Sequence, residues 1–79
     1  MFTVYVIESA ERKYRYVGIT NNLERRFKEH NLGSNKTTSP YKLFILKYTE
    51  SFDSRLEARK REMFFKSGEG RELLNNLLS

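Results

Sequence analysis

The sequence of 79 residues predicts an α+β fold: a small three-stranded antiparallel sheet flanked by helices, in the order β-β-α-β-α-α. Three observations predict it. Two runs rich in β-branched and aromatic residues, FTVYVIE and YRYVGI, are separated by a polar connector short enough for a hairpin. Two later stretches repeat apolar residues at helical spacing behind residues suited to cap a helix. A third alternating run, KLFILKYTE, falls between those stretches, which gives a mainly antiparallel sheet with helices against its faces.

The first strand is expected over 2–8. Phe2, Val4 and Val6 share one face, and Thr3, Tyr5 and Ile7 the other. Both faces are apolar enough to be covered, which makes this strand central or packed by helices on each side. The second strand is expected over 14–19, with Tyr14, Tyr16 and Gly18 on one face and Arg15, Val17 and Ile19 on the other. Gly18 near a strand end signals close approach by another backbone or a ligand.

Thr20 or Asn21 offers an N-cap for a helix over 22–31, in which Leu23 and Phe27 face the sheet at i, i+4 and Gly33 marks the stop. Residues 33–41, with the only proline, read as a polar connector. The third strand, 42–50, sets Leu43, Ile45 and Lys47 against Phe44, Leu46 and Tyr48. A helix over 54–66 is capped by Asp53 or Ser54, with Glu57 placed for a capping box, and its apolar stripe is read as Leu56, Met63 and Phe64. Ser67 to Gly70 breaks it, and 71–78 forms a short closing helix.

The length suits one domain spanning 1–79 and is too short for two. Without cysteine there is neither a disulfide framework nor a thiolate metal site, and a single histidine excludes a multi-histidine zinc centre. Any metal is then held mainly by oxygen, which points to Mg²⁺ or Mn²⁺. The net charge of +5 favours a polyanionic partner. The first residues carry neither a basic leader nor a long apolar core, so the expectation is a cytoplasmic protein with no membrane span.

Each chemically suggestive residue also has a plainer role. Tyr5 and Tyr16, on neighbouring strands, would pack as a cross-strand aromatic pair or position a water for deprotonation. Arg25 and Arg26 would form a solvated basic face or grip a phosphate, and His30, one turn beyond Arg26, would be structural or move a proton. Glu62, in the basic run RKRE, would bridge to Arg59 or Lys66 or hold a hard cation. Together these groups fit metal-assisted phosphodiester hydrolysis; nothing marks a serine or cysteine nucleophile.

Thr3-Val4-Tyr5, Tyr16-Val17-Gly18, the helix NLERRFKEH, a threonine-containing loop before Pro40, and EARKRE followed by FFKSGEGREL resemble the GIY-YIG nuclease superfamily, in its small single-domain bacterial branch. The resemblance covers nearly the whole chain. It implies cleavage of a DNA phosphodiester with one divalent metal ion. Residue by residue, it makes Tyr5 the first-motif tyrosine, a general base or water positioner, and Tyr16 the second-motif tyrosine. Arg26 becomes the group stabilising the scissile phosphate, His30 an aid to proton transfer or phosphate contact, and Glu62 the metal ligand. Lys36, Thr37, Arg25 and Lys66 are weaker candidates for contacts to the DNA backbone.

Thr3 stands in place of the first motif's glycine, and Val4 and Val17 in place of isoleucines. Ile19 stands where excision-repair relatives carry lysine, and neither Asn75 nor Asn76 is assigned to the family's C-terminal asparagine. A metal-dependent DNA endonuclease of low sequence specificity, or with a preference for single strands or branched structures, is the expected function. A non-catalytic nucleic-acid-binding module is its rival. The pathway (repair, recombination, DNA uptake or defence), the oligomeric state and a protein partner supplying specificity are left open.

Overall fold

The structure, a computed structural model, describes residues 1–78. Its elements are β1 (Phe2–Ser9), β2 (Arg15–Thr20), α1 (Leu23–Leu32), a short 3-10 helix (Ser39–Tyr41), β3 (Phe44–Phe52), α2 (Arg55–Lys66) and α3 (Gly68–Leu78). The antiparallel sheet has the order β2-β1-β3, so β1 is the central strand, one of the two placements its apolar faces predict.

The two faces bury different clusters. Val4 and Val6 of β1 and Val17 of β2 pack under Ala58 and Phe65 of α2 and Leu74 of α3. On the reverse face Tyr5, Ile7 and Phe44 form a cluster joined by Tyr14, Tyr16, Leu23 and Phe27. Leu23 and Phe27 lay α1 across this second face, as their spacing predicts. Asn31 ties α1 to β3, its side-chain oxygen accepting from the Phe44 amide at 2.6 Å.

Four local expectations are corrected. Asn22, not Thr20 or Asn21, caps α1, its side chain accepting from the Arg25 amide; Thr20 instead closes a local turn by accepting from the Asn22 amide. In β3 a bulge falls between the partners of Val6 and Ile7, which are Tyr48 and Leu46. The extra residue, Lys47, reverses the alternation, so Phe44 and Tyr48 belong to opposite faces rather than one. On α2, Leu56 and Met63 are 66% and 59% exposed; of the expected stripe only Phe64 packs against the core, and the buried stripe is Ala58, Glu62 and Phe65. A carboxylate in the middle of that stripe hides it from a reading by hydrophobicity. Finally, α3 begins at Gly68, three residues earlier than expected. Gly70 lies so close to the end of α2 that any side chain would strike the Phe64 carbonyl, and its amide donates to Ser67 Oγ at 3.2 Å. These glycines therefore join two helices closely rather than forming a longer break.

The expected caps at the other ends are present. Gly33 closes α1 in the left-handed conformation at φ 81°, and Ser54 caps α2 by accepting from the Glu57 amide at 3.2 Å. No helix among the described residues is long and apolar enough to cross a membrane.

Candidate active site

Tyr16 and His30 meet around the phenol of Tyr5. Tyr5 is the cross-strand partner of Gly18, and its ring lies over that glycine so closely that a β-carbon there would collide with the phenol oxygen. The close approach at Gly18 is thus made by a side chain, the Tyr5 ring, rather than by the backbone or ligand expected. The phenol oxygen is 2.8 Å from His30 Nε2, and the other ring nitrogen of His30 is 2.8 Å from Thr38 Oγ1. His30 projects from the last turn of α1 into the second-face cluster and is fully buried, as is Thr38. The Tyr16 ring completes a triangle, its centroid 6.3 Å from Tyr5 and 5.1 Å from His30.

Burial pushes the Tyr5 phenol well above its ordinary range; Tyr16, Glu62 and Glu29 push the same way, and the positive charge of Arg26 opposes them. Burial also lowers His30, helped by Arg26 and opposed by Glu29. His30 is therefore held neutral in the fold at pH values where a free imidazole would be protonated.

This has a measurable consequence for stability. A base whose folded pKa is depressed binds fewer protons folded than unfolded just below its ordinary pKa of about 6.5. Its contribution is fully present above that value and is lost as pH falls through the window down to the folded pKa. Melting temperatures recorded across that window should drop for the wild-type chain and stay flatter for His30→Gln. Because His30 is the only histidine, the difference is attributable to it; equal slopes would show that its protonation does not oppose folding.

Arg26 is half-exposed, with Nη1 3.5 Å from Glu29 Oε1. With Thr20, Asn21, Arg25 and Arg55 it lines a cavity of about 180 Å³ beside the C-terminal end of β2. Arg55, at the start of α2, is not singled out in the sequence, because one more arginine in a basic chain carries no spacing signal.

Glu62 lies on a helix that packs on the sheet face opposite Tyr5 and Tyr16. The carboxylate is 5% exposed, with Oε1 2.9 Å from Arg59 Nη1 and Oε2 3.1 Å from Lys66 Nζ. Its charge still bears on Tyr5. The topology explains how: β2 is an edge strand, so groups from both faces can meet around it. Lys66 and Tyr16 line a second cavity along β2, of about 440 Å³, together with Arg71 and Asn75. Asn75 accepts from Arg15 Nη1 at 2.9 Å, which distinguishes it from Asn76 as the asparagine that fronts this cavity.

Lys36 and Thr37 are not brought to the cluster. Both are exposed, and the Thr37 amide donates to Asn35 Oδ1 in a local turn. The inward-facing residue of that loop is Thr38. Nothing in a Thr-Thr pair says which of the two turns in.

No group of three or more His, Cys, Asp or Glu side chains suited to a metal occurs among the described residues. Glu62 is a single buried carboxylate. That donor set fits Mg²⁺ or Mn²⁺, which retain several waters and take further oxygens from a phosphate substrate. Both partners of Glu62 are about half-exposed lysine or arginine side chains, able to swing aside.

A family model described as the GIY-YIG catalytic domain matches residues 1–75. A UPF0213 protein of Halobacterium salinarum is 46% identical over 63 residues, covering 78% of this chain and 80% of the relative. A UPF0213 protein of Vibrio parahaemolyticus is 39% identical over 66 residues, covering 82% of this chain and 61% of the relative. The solution NMR structure of a UPF0213 protein from Bacillus halodurans superposes with a TM-score of 0.58 at 33% identity, over 98% of this chain and 85% of that one.

Proposed function

The chain belongs to the GIY-YIG family of nucleases, and on that premise we propose that residues 1–79 act as one divalent-metal-dependent DNA endonuclease domain. The observation that carries the proposal is the convergence on Tyr5. Its hydroxyl is hydrogen-bonded to His30, and the charges of Arg26 and Glu62 act on it from elements on both faces of the sheet.

In this reading Tyr5 orients the attacking water and takes up its proton, with His30 behind it. Tyr16 walls the site. Arg26 stabilises negative charge developing on the phosphate. Glu62 holds the metal ion, which supplies further charge stabilisation at the phosphate. Arg25 and Arg55, around the cavity beside Arg26, hold the neighbouring DNA backbone, and Lys66 serves the strand on the Tyr16 side. Lys36 and Thr37 would touch only DNA that extends beyond this groove. Contacts of this kind read backbone rather than bases, so we expect low sequence specificity, or a preference for single-stranded or branched DNA, and an affinity that falls steeply with salt. We place the protein in the cytoplasm, where such a substrate is met. A protein partner would be the source of any sequence choice.

The pairing of both Glu62 oxygens with Arg59 and Lys66 favours a second reading, a nucleic-acid-binding module that has given up catalysis. One experiment decides. Single-stranded, duplex and branched DNA are incubated with Mg²⁺ or Mn²⁺ and either wild type or Arg26→Ala. We expect cleavage by wild type and a loss of about 10²- to 10³-fold in Arg26→Ala, the usual cost of removing a group that stabilises transition-state charge. Binding by wild type with no cleavage under either metal would establish the second reading.

A further inference from the structure

Resting on the nuclease reading, one further role follows from the hydrogen bonds behind Tyr5. We propose that Thr38 is a positioning residue: it holds the His30 imidazole in its Nδ1–H form, so that Nε2 turns a lone pair to the Tyr5 hydroxyl and receives that proton when Tyr5 takes one from the attacking water.

Counting donors and acceptors selects this arrangement. A neutral imidazole has one N–H and one lone pair in its plane. His30 Nδ1 meets Thr38 Oγ1 at 2.8 Å, and Nε2 meets the Tyr5 oxygen at 2.8 Å. The Thr38 hydroxyl also lies 3.5 Å from the Asn35 carbonyl. In the proposed arrangement Nδ1–H donates to Thr38, Thr38 donates to Asn35, and Tyr5 donates to Nε2. Every proton has an acceptor. In the reverse arrangement Thr38 donates to Nδ1 and Nε2–H donates to Tyr5. The Tyr5 proton then has no acceptor among the described residues, although the side chain is only 2% exposed. Buried donors are almost always paired, so the first arrangement is favoured.

The loop is built to hold Thr38 in place. The amides of Thr38 and Ser39 both donate to the Asn35 carbonyl, at 3.2 and 2.8 Å. The Tyr41 amide donates to the Thr38 carbonyl at 2.9 Å, and the Tyr41 ring stacks on Tyr14 at 3.9 Å. The other neighbours of the imidazole ring are the rings of Tyr16 and Phe44, while Arg26 and Glu29 of its own helix act on it by charge. Thr38, with its hydroxyl directed to the Asn35 carbonyl, and Tyr5 are the ring's hydrogen-bond partners among the described residues, and together they settle which nitrogen carries the proton.

The step balances. The water oxygen bonds to phosphorus as one water proton moves to the Tyr5 oxygen and the Tyr5 proton moves to Nε2. The bond from phosphorus to the leaving oxygen breaks with its electron pair, and that oxygen takes a proton from solvent. The imidazolium returns its proton through Tyr5 once product has left.

The test uses the full chain labelled with ¹⁵N, in which the sole histidine gives two ring-nitrogen signals that need no assignment by mutation. At neutral pH the wild type should show a protonated Nδ1 and a pyridine-type Nε2. Thr38→Val should shift the population toward the Nε2–H form, and Thr38→Ser should restore the wild-type pattern. In cleavage assays Thr38→Val should lower kcat by about tenfold or more with KM for DNA unchanged, and Thr38→Ser should recover it, as expected when general acid–base transfer is misaligned. An Nε2–H tautomer in the wild type overturns the proposal, and so does a Thr38→Val chain with both wild-type spectrum and wild-type kcat. The wild-type spectrum is decisive even if Thr38→Val does not fold. Because the spectrum needs neither DNA nor activity, an inactive wild-type chain would overturn the nuclease reading while leaving the tautomer assignment to stand or fall separately.

Discussion

Replacing Tyr5 by phenylalanine should lower DNA cleavage by about 100-fold or more, the scale of a lost general acid–base group, while DNA affinity at fixed salt stays close to wild type. The separation follows from where the hydroxyl sits. The Tyr5 ring packs with Ile7 and Phe44 in the second-face cluster, and phenylalanine preserves that packing. What is removed is the oxygen that bonds His30 Nε2 and lies over Gly18. Affinity in this reading comes from Arg25, Arg26 and Arg55, which line a cavity that does not include Tyr5. The variant also leaves a buried ring nitrogen without its partner, a defect that costs about 1–3 kcal/mol of stability. Initial cleavage rates, binding isotherms and melting temperatures measured on the same preparation separate these effects. A Tyr5→Phe chain that cleaves at the wild-type rate would remove Tyr5 from the reaction and leave its bond to His30 as a structural contact only.

How much of this was legible in the sequence depends on whether a residue's role is set locally. The covering of β1 on both faces was legible, because Val4 and Val6 on one side and Tyr5 and Ile7 on the other are apolar whatever they touch. The stop of α1 at Gly33 and the start of α2 at Ser54 were legible because capping is a matter of a few neighbouring backbone groups. The bulge at Lys47 was not: it is a property of pairing with β1, and strict alternation in KLFILKYTE conceals it. The buried stripe of α2 was misread because Glu62 occupies a position that hydrophobicity assigns to solvent. Arg59 and Lys66, one turn to either side, are what make that burial tolerable. In the site, the spacing of the tyrosine motifs, the arginine helix and the later glutamate was readable as a family pattern. Thr38 and Arg55 were not, since their part depends on which way a loop turns and on where α2 starts relative to β2.

The largest effect is expected at Glu62, and Glu62→Gln separates its two roles. As a structural residue, Glu62 contributes two ion pairs to side chains that are 58% and 49% exposed. Pairs with that much solvent access contribute about 0–1 kcal/mol each, and glutamine keeps the shape and an oxygen acceptor for one of them. The change in melting temperature should therefore be small. As the only buried carboxylate among the described residues, Glu62 carries the negative charge by which the site would hold a divalent ion. Glutamine lacks that charge, and losing several kcal/mol of metal-supplied stabilisation corresponds to about a 10³-fold fall in cleavage rate. A purely structural role predicts cleavage retained, with only that small change in melting temperature. Titrating Mn²⁺ sharpens the distinction, because a weakened metal site should recover part of its rate at high metal concentration and a broken ion pair should not. Cleavage by Glu62→Gln at the wild-type rate and the wild-type metal dependence would mean that the ion is held elsewhere, and that the cluster around Tyr5 works without the carboxylate on the far side of β2.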